Sequence, residues 1–200
     1  MKGTPAGNQI ATILFDGPGA MYLAQRGETE NRYDYEQIAD SGDGVVLRYW
    51  RESPDDPATE SVWVEAPQEY AVGFPPAHRQ TAGGIDLQYG YYADGTFDTR
   101  ACADTLVKTG DKLRDNPAEE VQLLAGGPLS VHGVQITSTA LVRPKNEPPY
   151  GSWFVDYDGY FEDPEVEGHV GDVEVWRPCE GRAGWYEDVP GGFLPPFFPP

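Results

Sequence analysis

The chain reads as an all-β protein: an antiparallel sandwich or barrel of about eight to eleven short strands, with one short helix. Three observations predict it. Short runs rich in Val, Ile, Tyr and Trp recur along the 200 residues. Gly, Pro and Asp-Gly turn signals separate them roughly every 8–15 residues, the spacing of sandwiches and barrels. Only one segment carries a complete set of helix-start signals. The length suits one β-rich domain over residues 1–190, followed by an apolar, proline-rich tail over 191–200.

Residues 1–9 read as an arm. Ile10 to Phe15 (IATILF) and Ala20 to Gln25 are strands joined by the turn DGPG at 16–19. Both strands are mostly apolar, which predicts a hairpin that is buried or pressed against a neighbour. Arg26 to Ser41 is polar with only weak helical periodicity. Val45 to Arg51 (VVLRYWR) is the next strand, with Val45, Leu47 and Tyr49 on one face and Val46, Arg48 and Trp50 on the other. The acidic loop ESPDDPATE leads to a return strand, Ser61 to Glu65, and residues 66–84 read as irregular.

The clearest local signal is GGIDLQYGYYADGTFDTRAC, Gly83 to Cys102. Asp94-Gly95 suits a two-residue type I′ turn, because both positions reach positive φ at low cost. That turn sets Tyr92 opposite Phe97, Tyr91 opposite Asp98 and Leu87 opposite Cys102. Ile85, Leu87, Tyr89 and Tyr91 then share a face that meets the core. Tyr89, Tyr91 and Tyr92 could pack on a second sheet or form a flat platform for a sugar ring.

Residues 104–113 read as a strand and turn. Asn116-Pro117-Ala118-Glu119 opens a helix over about 117–125, with Asn116 as N-cap, Pro117 at N1 and Glu119 closing a capping box. Val121, Leu123 and Leu124 supply its apolar surface, and Gly126 its stop. Leu129 to Val142 is a long strand or a bent pair with Gly133 at the bend. Trp153 to Tyr157 and the residues from Tyr160 flank a second Asp-Gly signal at 158–159. Gly171 to Trp176 is the last clear strand.

Charge and motif narrow the function classes. The chain has 33 acidic and 14 basic residues, a net charge of −19. That balance argues against nucleic acid, whose backbone needs clustered Lys and Arg, and against anionic membrane surfaces. No run of about 18 apolar residues reads as a membrane span. The N-terminus lacks the apolar core of a secretory signal, so a virion or cytoplasmic location is expected, or secretion with the signal removed. Asp156, Asp158 and Glu167 match positions 1, 3 and 12 of an EF-hand loop, but Phe161 replaces its glycine. His78, His132 and His169 fall into no metal-ligand spacing, and no nucleophile elbow or phosphate-binding loop occurs. Neither a catalytic residue nor a cofactor is predicted.

Cys102 and Cys179 are the only cysteines. They are a candidate disulfide pair, the alternative being two buried thiols. In the tail, Phe193, Leu194, Phe197 and Phe198 stand among four prolines. Such a segment favours extended geometry and loses little entropy on docking, either across its own sheet or on another chain. These features together predict a non-catalytic structural or interaction protein that joins other chains, its own copies or heterologous ones. A capsid or tail component of a virion is the most concrete form. The rivals are a secreted or surface binding module for carbohydrate or protein, an unrecognised hydrolase, and an acidic inhibitor or immunity protein. Exposed aromatics flanked by Asp, Asn or Arg in one groove, and a bridge at Cys102, would favour the binding module.

Overall fold

A computed structural model describes residues 9–16, 19–27, 42–53, 62–64, 66–92, 94, 96–98, 100–125, 129–157 and 170–175. Ten strands and one helix lie among them. β1 (Ile10–Asp16), β2 (Ala20–Gln25), β3 (Val45–Trp50) and β4 (Gln68–Tyr70) form one antiparallel sheet in that order. β5 (Thr81–Gln88), β8 (Thr105–Gly110), β9 (Gly133–Ser138) and β10 (Ser152–Asp156) form a second, in the order β10-β9-β8-β5. β6 (Gly90–Tyr91) and β7 (Phe97–Asp98) make a small separate ribbon, and α1 spans Glu120–Leu124. The fold is all-β, as the turn spacing predicts.

Alternation places the core. Tyr22 and Ala24 of β2, Val46 of β3 and Tyr70 of β4 meet Ile85 and Leu87 of β5 and Leu106 of β8 between the sheets. Burying each such Leu or Ile contributes about 1.5–3 kcal/mol. Tyr22 and Tyr70 stack at 6.3 Å. β3 is a nearly continuous apolar run because its sheet is apolar on both faces, as in strands covered on both sides. On the outer face Leu23 pairs with Leu47 and Met21 with Tyr49, and these belong to a second buried cluster with Val45.

Several local expectations are corrected. The Gly83–Cys102 hairpin has a different register: Tyr91 pairs with Phe97 and Gly90 with Asp98. The Tyr92 amide donates to the Thr96 carbonyl at 2.9 Å, so Thr96 faces Tyr92 and the register differs by one from that of a two-residue turn. The cause is Asp94, whose Oδ1 accepts from the Thr96 amide at 3.0 Å and its hydroxyl at 2.7 Å. This side-chain turn outcompetes the two-residue backbone turn. A second turn, with Ala101 N–H on the Asp98 carbonyl, ends the return strand. Leu87 therefore pairs with Leu106 of β8, not with Cys102.

Of the return strand expected at 61–65, residues 62–64 are described, and they pair antiparallel with the end of β3 through the Arg51–Trp63 bridge, with Glu52 N–H on the Val62 carbonyl at 2.9 Å and Val64 N–H on the Trp50 carbonyl at 2.8 Å; Gln68–Tyr70, within the stretch read as irregular, pairs with β3 as well. The capping box does not form. Asn116 Oδ1 accepts from Ala118 N–H at 3.0 Å one turn early, and Glu119 turns to the Tyr150 hydroxyl at 2.6 Å. The helix is shorter than expected, and of its apolar residues only Leu123 is buried, Val121 being 86 % exposed. Residues 171–175 are not a strand: the Val175 amide donates to Asp86 Oδ2 at 2.6 Å, a side-chain bond. The weakly periodic stretch 26–41, the Asp158-Gly159 turn and the tail at 191–200 lie almost wholly or wholly outside the described residues.

Candidate functional site

β10 alternates Phe154, facing the core, with Trp153 and Val155, facing out, and Tyr157 just beyond the strand is exposed as well. The β6–β7 ribbon folds over the same outer side of the second sheet, anchored where the Thr105 hydroxyl donates to the Tyr89 carbonyl at 2.7 Å. Gly90 permits this approach, because a Cβ there would stand 2.9 Å from the Ala101 Cβ. Between ribbon and sheet lies a groove of about 170 Å³. Tyr91 and Trp153 wall it, their ring centroids 5.5 Å apart and tilted by 41°. Asp98, Asp104, Thr105 and Ser138 supply its polar lining.

The polar groups are held in place. Asp98 Oδ1 accepts from the Arg100 amide at 3.1 Å, which fixes the carboxylate at the ribbon's end. The Tyr91 hydroxyl donates to Gln88 Oε1 at 3.1 Å, so the ring is braced from its tip. Burial raises the Tyr91 phenol above its ordinary value, and the hydrogen bond to Asp98 raises that of Tyr92. Both phenols are therefore neutral donors at neutral pH. Trp153 is 57 % exposed, and Asp104 is exposed as well. The volume falls below the roughly 300–1,000 Å³ of sites for drug-sized ligands, and suits a single ring. A larger, more open hollow of about 440 Å³ is lined by Pro75, Pro76, Lys112 and Asp115 and has no aromatic wall.

The residues singled out from sequence are dispersed. Of the three tyrosines in the platform reading, Tyr89 is buried behind the ribbon and Tyr92 is half-exposed beyond the groove. Only Tyr91 lines it, and its partner is Trp153. Cys102, next to the groove residue Ala101, is disulfide-bonded; Cys179 lies outside the described residues. So do Phe193, Leu194, Phe197 and Phe198, as well as His169 and the acidic residues from Asp158 to Glu167. Asp156 Oδ1 accepts from the His132 amide at 3.3 Å. His132 itself is buried, with Nδ1 3.5 Å from Asp111 Oδ1, and His78 Nδ1 lies 3.0 Å from the Gly73 carbonyl. No group of three metal-ligating side chains occurs among the described residues.

Fold and groove together define an all-β, two-sheet protein with an aromatic-walled surface site. The chain matches no family model, no curated protein and no solved structure.

Proposed function

We propose that this protein is a non-catalytic binding module for neutral carbohydrate, with the Tyr91–Trp153 groove as its ligand site. The observation that carries this reading is the pairing of two aromatic rings with Asp98, Asp104 and Ser138 in one concavity. A pyranose has an apolar C–H face and a rim of hydroxyls. The ring faces offer the first an apolar surface, and carboxylates and a serine hydroxyl offer the second acceptors and a donor. The disulfide at Cys102 supports an oxidising compartment, where such modules work. The net charge of −19 disfavours anionic glycans. A glycan array probed with the full chain tests the reading. Binding to neutral glycans is expected; an empty array rejects the reading, and hydrolysis of the bound glycan replaces it with catalysis.

A second reading, the assembly component such as a virion capsid or tail protein, draws on a different surface. Ile13 and Phe15 of β1 are 50 % and 59 % exposed, and Phe15 packs on Trp63 at 6.1 Å. Apolar groups left in water in this way mark docking surfaces in many proteins. Light scattering on the full chain and on its Phe15→Glu variant tests it, an oligomer that the substitution dissolves being the supporting result.

A further inference from the structure

Lys108 stands in the middle of β8 on the same face as Leu106, and its side chain has no exposed surface at all. It enters the core between the two sheets. Its Nζ donates to the Ala71 carbonyl at 3.1 Å and to the Thr137 hydroxyl oxygen at 2.8 Å. Both acceptors are uncharged. A neutral amine has two N–H donors, which these two acceptors satisfy; an ammonium has three. Among the described residues no carboxylate pairs with it.

The groups facing Lys108 reinforce the point. From β4, the Tyr70 ring centroid is 5.9 Å from Nζ, and burial raises that phenol, which stays neutral. From β3, the Arg48 guanidinium lies 5.5 Å from the same ring. From β2, Tyr22 stacks on Tyr70. β5 contributes Ile85, and β9 contributes Gln135 and Thr137, all uncharged. Glu69 adjoins Tyr70 in sequence, but its carboxylate goes to Arg79 and Arg143. A protonated Lys108 would place a second cation near Arg48 in a dry core; the Tyr70 ring face offsets part of that charge, but one N–H keeps no oxygen acceptor. Such a group is costly unless the structure opens to water or a counter-charge.

We propose that Lys108 is a proton sensor in the inter-sheet core: the folded protein holds it as a neutral amine, and on acidification the ammonium that forms opens the contact between β4 and β8. Burial pushes this lysine down to about 7. The sign follows from linkage. The folded value lies below the unfolded one, near 10.4 for a free lysine, so the unfolded chain binds more protons between about 7 and 10.4 and stability rises with pH across that window.

The test uses the full chain. Lysine Nζ resonances followed by NMR are expected to show one midpoint near neutrality; a Lys108 midpoint above about 9.5 overturns the proposal. Denaturant unfolding between pH 7.5 and 9.5 is expected to show the unfolding constant falling by up to about tenfold per pH unit in the wild type, and less steeply in Lys108→Met. Parallel profiles overturn it. The opening itself is read from amide exchange of β8, corrected for intrinsic rates. Weaker protection at pH 6 than at pH 8 is expected in the wild type and not in Lys108→Met, and equal protection at both pH values in the wild type overturns the switch. If Lys108→Met does not fold, the wild-type NMR titration and exchange decide the matter alone.

Discussion

The outer faces of the two sheets both leave large apolar side chains in water, but in different company. On the first sheet, Ile13 and Phe15 simply continue the rows of the outer face: Ile13 pairs with Leu23 and Phe15 with Met21, both part of the second cluster. They are the edge of a packing surface. On the second sheet, Trp153 rises beside Tyr91 in a concavity that also holds Asp98, Asp104 and Ser138. The contrast teaches that exposed apolar area by itself marks only a surface. Rings set against fixed hydrogen-bonding groups mark a site that can orient a ligand.

The largest effect expected from this contrast is at Trp153. Trp153→Ala removes one wall of the groove, and glycan affinity should fall at least tenfold, since truncated aromatic anchors commonly cost about 2 kcal/mol or more. The melting temperature should barely move, because the ring is mostly exposed. Calorimetric titration beside a thermal melt checks both. Asp104→Asn keeps the shape and removes the charge. A charge-assisted bond becomes a neutral one, so an affinity loss of about fivefold is expected in the same titration.

Ile13→Glu probes the other surface. It should leave glycan affinity unchanged while altering solution mass if β1 docks on another chain; an equal loss of affinity would erase the distinction between the faces. The smallest effect is expected at Glu69. Burial raises its carboxyl, but the hydrogen bonds and charges of Arg79 and Arg143 outweigh that and leave it below the usual range. Its contribution to stability is therefore present above the unfolded value and fades as pH falls through the folded one. Melting curves of Glu69→Gln should lie below the wild type at pH 7 and converge with it at strongly acidic pH, with no change in glycan binding at pH 7.

Much of this fold was legible in particular residues. The DGPG turn announces the β1–β2 hairpin, and the alternation of Ile85 and Leu87 announces the core face of β5. What escaped was decided by side chains acting outside the pattern. Asp94 took the Thr96 amide and hydroxyl on its own carboxylate and shifted the register by one, which the backbone turn signal does not encode. Glu119 found Tyr150 across 31 residues instead of its own helix start. The groove was little visible: Tyr91 was one of three tyrosines read either as packing on a second sheet or as a platform, and Asp98 and Asp104 are two among 33 acidic residues and carry no spacing signal. Trp153 joins Tyr91 only through the pairing of β9 with β8 and β10, which no local pattern encodes. Lys108 was the inverse case. Its period-two register with Leu106 puts it inward, and the usual exposure of lysine hides that.

The measurement that tests the account most directly is backbone and tryptophan-indole chemical-shift mapping of the full chain, titrated with a neutral glycan that it binds on the array. The account predicts shifts concentrated at Gly90, Tyr91, Ser138 and the Trp153 indole, with Ile13, Phe15 and Trp63 unmoved. Shifts centred on β1 and Trp63, with the groove silent, would contradict it.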